Sequence, residues 1–155
     1  MKHSILLSIF LYYSFASFSQ ISKEFEKLDS LNSYKDVELG CSVAEATKKM
    51  ALIPIKESNG FQYSISNKIY LAIEDFTFFK GEAWFLFEKL KTITLESKHS
   101  DSKHFQAILD YFTRIFGIPQ YKKKSYYWVG LNISYSLIRN TNNNHILVVI
   151  SSMQE

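Results

Sequence analysis

The stretch from His99 to Pro119 constrains the fold more than any other part of this chain. Phe105, Ile108, Leu109, Phe112, Ile115 and Phe116 fall at i, i+3, i+4, i+7, i+10 and i+11, a spacing that places all of them on one side of a 3.6-residue helix. A stripe of large apolar side chains must be buried, so the helix needs another layer to lie against. Asp101 or Ser102 can accept from the orphan N–H groups at its start. At the other end Gly117 can take a left-handed conformation, with Ile118 folding back and Pro119 preventing continuation.

The second layer is readable on both sides of that helix. Between Gly60 and Ser97 the composition turns aromatic and β-branched, and Phe61–Ile65, Ile69–Glu74, Ala83–Glu88 and Thr92–Glu96 read as strands of an antiparallel meander. A tight Glu88-Lys89 turn joins the last two, and Asp75–Phe79 can extend either neighbouring strand. Ala83, Phe85 and Phe87 alternate with Trp84, Leu86 and Glu88. Apolar groups on both faces predict a central strand, covered by a helix on one side and partly covered on the other. After the helix, Tyr126–Val129, Leu131–Ile138 and Ile146–Ser151 read as three more strands, with Asn140–Asn144 as a polar loop.

Upstream, Ser42-Val43-Ala44-Glu45 matches the capping box that opens a helix, and Val43, Ala46 or Thr47, and Met50 give that helix a modest stripe ending before Pro54. Val37–Leu39 is a short extended lead-in. Ile21, Phe25, Leu28 and Leu31 recur at helical steps, so residues 20–36 read as a leader or short helix. The resulting fold class is α+β. Two successive helix-plus-antiparallel-meander units, 37–97 and 98–152, form one sheet with helices packed on one face in a single domain, 37–155.

Residues 1–19 read as a secretory signal. Lys2 and His3 precede an apolar run from Ile5 to Phe18, and Ser17 and Ser19 supply the small residues expected before cleavage at Gln20. The alternative is an uncleaved anchor, but the run is short of the ~20 apolar residues that a span requires. Removing nineteen of the 155 residues leaves 136, and losing Lys2 lowers the formal charge from +3 to +2, which designates no partner class. The protein is expected to be exported, periplasmic or secreted, without membrane anchoring once the signal is gone. Leu39-Gly40-Cys41 imitates a lipoprotein cleavage site, but it lies about twenty polar residues beyond the apolar run, and Glu38 stands where an apolar residue is required. A single cysteine makes no internal disulfide, so the fold stands on its core; Cys41 is expected to be buried as a small hydrophobe.

The order of elements resembles two known groups. Leu39-Gly40-Cys41 followed by a capped helix, Ser42 to Met50, and then strands looks like the SmpA/OmlA family of outer-membrane assembly lipoproteins. The tandem helix-plus-meander layout is similar to the β-lactamase inhibitory protein fold, with Phe116-Gly117-Ile118-Pro119 followed by Trp128 as the same ending used again. The resemblance covers most of 37–152 as layout, lacks a lipidated cysteine, and implies an exported binding or scaffold protein rather than a catalyst.

The candidate chemistry is sparse. His99, Asp101 and His104 could hold zinc, but Asp101 is explained as a helix cap and no fourth ligand is apparent, so no metal or other cofactor is expected. Glu74 and Asp75, if on one strand, point to opposite faces and make a poor acid and base pair. No nucleophile elbow, phosphate loop or Cys-x-x-Cys is present. The chain therefore reads more as a non-enzyme. The aromatic excess, thirteen Phe, ten Tyr and two Trp, exceeds what two helices on one sheet would hide, so a ring cluster is expected at the surface. Tyr121, Tyr126, Tyr127 and Tyr135 beside Lys122, Lys123 and Lys124 are the residues expected to bind. An envelope or extracellular protein is the expected partner. The mature charge is too small to favour nucleic acid, even though lysines are mixed with rings there. The alternative is a small-molecule pocket or enzyme site between sheet and helices, using a titratable group such as His104 or His145.

Intact-mass measurement of the protein recovered from envelope or medium should find an N-terminus at or near Gln20; a retained Met1 would remove the basis for export.

Overall fold

The computed structural model describes residues 27–56, 61–98, 101–140 and 145–154. The signal segment, residues 21–26 of the first helical stretch, His99 and most of the polar loop after Asn140 lie outside the described residues. In chain order the elements are β1 (Ser33–Tyr34), β2 (Val37–Glu38), α1 (Val43–Met50), β3 (Leu52–Pro54), β4 (Gln62–Ile65) and a 3-10 turn (Lys68–Leu71). There follow β5 (Ala72–Ile73), β6 (Phe76–Thr77), β7 (Lys80–Leu86), β8 (Lys89–Ser97) and α2 (Ser102–Phe116). The chain ends with β9 (Gln120–Lys122), β10 (Ser125–Val129), β11 (Ile133–Asn140) and β12 (His145–Ser152). The fold is α+β, and its main feature is an antiparallel sheet of eight strands in the order β3-β4-β7-β8-β12-β11-β10-β9.

One face of this sheet is the core. Leu95, Val148 and Leu137 lie in one row across β8, β12 and β11, and Ala83, Ile93, Ile150, Tyr135 and Trp128 lie in the next. All of them are buried. Because side chains alternate along a strand, a single register sends each of these residues to the same side. From α2, Phe112 sets its ring 5.3 Å from Trp128 and 5.6 Å from Tyr135, while Phe116 lies 4.7 Å from Tyr135. The helical stripe read from the sequence thus meets aromatic residues of β10 and β11.

Both helix starts are capped as their residues dictate. Ser42 and Glu45 form the reciprocal capping box of α1, and Asp101 Oδ1 accepts from the His104 N–H at 2.7 Å at the start of α2. Helix α1 stops before Pro54 as expected, whereas the end of α2 differs in geometry. Helix α1 ends at Ala51, which takes a left-handed backbone (φ 51), before Pro54 can act. Gly117 has φ 83 with ψ −164, a region open essentially only to glycine rather than the left-handed helical well. Its carbonyl accepts from Trp128 Nε1 at 2.9 Å. Ile118 does not fold back: it is 90 % exposed.

Other expectations need correction. The segment read as a strand at Ile69–Glu74 is a 3-10 turn followed by the two-residue β5. There Asn67 caps the turn through the Ile69 N–H, and Tyr70 is drawn inward. Glu74 and Asp75 are both exposed in the β5–β6 turn, not on a strand. Ser33–Tyr34 is a strand rather than the end of a helix, although residues 27–29 are helical. The β7–β8 turn is Phe87-Glu88, with φ 50 and 63, and Lys123-Lys124 repeats the geometry with φ 50 and 64. Positive φ at both central residues matches the twist of a hairpin, yet neither pair carries the usual Asn or Gly, which is why the turn is displaced from its expected position. Strand β9 was not foreseen, and β11 begins at Ile133 rather than Leu131. Cys41 is half-buried, and its thiol is pushed up by desolvation and by the nearby carboxylates of Glu45 and Glu38.

Gly117→Val forces a β-branched residue into the backbone geometry that ends α2. It should destabilise the protein by about 1–3 kcal/mol, read as a lower urea midpoint at constant slope; an unchanged midpoint would show that the stop does not depend on glycine.

Candidate functional site

The face of the sheet opposite the core carries a different set of residues. Register pairing places Trp84, Thr92, Ser151, Ser134 and Val129 in one row across β7, β8, β12, β11 and β10. The next row is Glu82, Thr94, Val149, Ser136 and Tyr127, and the third is Lys80, Glu96, Leu147, Ile138 and Ser125. Small hydroxylated residues dominate its middle. Thr92 Oγ1 and Ser151 Oγ lie 3.2 Å apart, a cross-strand pair of the kind that ties neighbouring strands together.

The carboxylates of this face have partners on it, while Lys122, opposite Ser125, is exposed at its far edge. Lys80 Nζ lies 2.5 Å from Glu82 Oε1, and Gln62 donates to the other oxygen of the same carboxylate. That hydrogen bond raises the Lys80 ammonium above its ordinary value. Glu96 Oε1 lies 2.5 Å from His145 Nδ1, and the His145 ring meets the edge of Phe79 at 5.5 Å, with Lys98 over Phe79 at 4.9 Å. What is left over is apolar. Trp84 is 43 % exposed, Leu86 49 % and Phe87, at the tip of the turn, 85 %. A bulge between Trp84 and Phe85 leaves Lys91 as the extra residue on β8 and turns the end of the hairpin.

The second face of β7 is therefore covered only in part, with Trp84 and Leu86 each nearly half exposed. The aromatic excess does reach the surface, but through Phe87, Phe61, Phe79 and Trp84 as well as Tyr121. Sequence reasoning missed Trp84, Leu86 and Phe87 as surface candidates. For Trp84 and Leu86 the available signal was that they share a face with Glu82 and Glu88 in a strand whose other face already carries Ala83 and Phe85.

The residues expected to bind fall in three places. Tyr121 is 63 % exposed and stands 4.8 Å from the ring of Tyr126, its cross-strand partner. Tyr126 also meets Phe105 of α2 at 6.0 Å and is half-buried. Lys122, Lys123 and Lys124 are exposed at the β9–β10 hairpin beside Tyr121. Tyr127, the next residue along β10, lies on the opposite face. Tyr135 is buried under Phe112 and Phe116, so it forms no surface cluster with the others; alternation along β10 and the stripe of α2 together separate the four rings.

The two histidines considered for a pocket lie on opposite faces. His104 Nε2 is 3.5 Å from Ser97 Oγ on the core face, with its ring against Phe76, whereas His145 belongs to the open face. His104 is half-buried. No cluster of three metal-ligating side chains occurs among the described residues, and no helix among them is long and apolar enough to cross a membrane. No protein-family model, no curated protein and no solved structure matches this chain.

The separation of Tyr126 from Tyr127 gives an asymmetric expectation. Tyr126→Ser should cost about 2 kcal/mol by removing a ring packed between Phe105 and Tyr121, and Tyr127→Ser about 1 kcal/mol or less. Urea unfolding of both variants checks the order, and equal losses would place the two rings in equivalent surroundings.

Proposed function

We propose that this is an exported binding or scaffold protein of the cell envelope, with no catalytic role, which engages an envelope or extracellular protein through the open face of its sheet. The observation carrying this reading is the apolar group Trp84, Leu86 and Phe87, exposed beside a face whose carboxylates, Glu82 and Glu96, have partners of their own. Uncovered large apolar side chains next to carboxylates that already have partners favour a protein partner that removes water from them without stranding those carboxylates. Tryptophan is among the residues that supply most binding energy at such surfaces.

The sheet edges argue for the face over edge pairing. Strand β3 offers three residues and ends in Pro54, and β9 offers three and ends in Lys122; short strands with proline or lysine are poor templates for an added strand. The layout supports the same class. We read α1 with β3, β4, β7 and β8, and α2 with β9 to β12, as two helix-plus-meander units whose helices cover the same face. In support, the strand order runs inward from β3 to β8 and outward from β12 to β9. This is the layout for which the resemblance to the SmpA/OmlA lipoproteins and the β-lactamase inhibitory protein fold was drawn. In both groups that layout accompanies binding rather than catalysis, and shared layout leaves the partner open.

A photo-crosslinking residue at position 84 should capture one discrete envelope protein, while the same residue at the exposed Lys48 of α1 should not. Combining Trp84→Ser with Leu86→Ser should abolish the capture of that protein from neighbouring position 92 with a stability change of about 1 kcal/mol or less. Capture at 48 but not at 84 would move the interface off the sheet.

A further inference from the structure

The cavity between α2, the β5–β6 turn and residues 27–35 is separate from the open face and raises a different question. Its volume is about 350 Å³, and its apolar lining comes from Leu31, Ile73, Ile115 and Phe116. That size falls within the range of small-molecule sites, ~300–1,000 Å³. Four tyrosine hydroxyls lie in this part of the molecule, and three have partners. Tyr34 donates to the carbonyls of Tyr70 and Ala72 at 3.0 and 3.1 Å, Tyr70 donates to the Asp36 carboxylate, and Tyr111 bonds to Glu74.

Tyr135 is the exception. It is only 7 % exposed and lines the cavity, yet its hydroxyl makes no hydrogen bond with any described residue. The ring is buried while its oxygen, which is not among the sealed polar atoms, opens on the cavity, so a ligand there can pair with it. Burial pushes the Tyr135 hydroxyl up to about 12, so at neutral pH it holds its proton and is available as a donor. Lys27 and Lys35 stand at the same cavity with a single carboxylate, Glu74, which already accepts from Tyr111. Lys35 donates one hydrogen bond to the Ile69 carbonyl, which leaves two further donors. An apolar floor, one uncommitted hydroxyl that opens on the cavity and an excess of cationic charge at the lining select a ligand with an apolar body and an anionic oxygen acceptor.

We propose that this cavity is a binding site for a small amphipathic carboxylate. The hydrocarbon lies against Leu31, Ile115 and Phe116, and the carboxylate accepts from the Tyr135 hydroxyl within the field of Lys27 and Lys35. The site shares none of its residues with Trp84, Leu86 or Phe87, so it stands or fails independently of the sheet-face reading.

Calorimetric titration of the mature protein with dodecanoate below its micelle concentration tests the assignment. Expected are saturable one-site binding, weakening by roughly ten-fold in Tyr135→Phe, and no binding of dodecyltrimethylammonium, which has the same chain and the opposite charge. Tyr135→Phe keeps the ring against Phe112 and Phe116, and its melting temperature should match the parent's. Ile115→Trp, which fills the cavity from α2, should abolish binding. The proposal is overturned if dodecanoate shows no saturable binding up to its solubility limit, if it binds both variants as it binds the parent, or if the cationic amphiphile binds as tightly.

Discussion

The antiparallel pairing of β8 with β12 is the interaction on which the rest of the structure depends. It aligns Thr92–Ser97 with Ile146–Ser151 and brings together segments far apart in the chain. Ile93, Leu95, Ile146, Val148 and Ile150 are fully buried along this seam, and every core row crosses it. Closing so long a loop costs conformational entropy before the pairing returns anything. The β-branched and leucine side chains on both strands are what offset that cost. A shift of one residue in this register would send them all to the open face and bring Thr92, Thr94 and Glu96 inward.

Helix α2 completes what the seam begins. Its Phe112 reaches Trp128 and Tyr135, and Phe116 reaches Tyr135, so the end of the helix is fixed by aromatic contact as well as by its glycine. The indole N–H of Trp128 then closes onto the carbonyl of Gly117. One residue from the middle of a strand thereby satisfies a carbonyl that the helix leaves open at its end. The same crowding buries Tyr135 without supplying its hydroxyl a partner, so core packing and the cavity beside it have a common origin.

The open face gains its character from what these contacts leave uncovered. Strand β7 has Ala83 and Phe85 in the core and Trp84 and Leu86 outside, although as a sequence both sets look equally suited to burial. Glu82 and Glu96 face the same side, where Lys80 and His145 contact them. Neighbours on three different strands thus produce a surface with exposed apolar side chains at one end, hydroxylated residues in its middle and partnered carboxylates toward the other end, and no single strand contains that pattern.

The sequence by itself determined the local structure whose cause is local. The caps at Ser42 and Asp101, the helical stripe from Phe105 to Phe116, the need for glycine at 117 and most strand positions follow from residue chemistry over a few neighbours. Of the residues expected to bind, it gave correctly that Tyr126 and Tyr127 face opposite ways, since side chains alternate along any strand. Only the tertiary structure decided which alternate set is covered. It buried Tyr135, left Trp84 in solvent, and turned Ile69–Leu71 into a 3-10 turn drawn in by Tyr70. It also placed the two histidines on opposite faces of the sheet. Those outcomes depend on register between segments tens of residues apart, and register is a property of the assembled sheet that no local window of sequence contains.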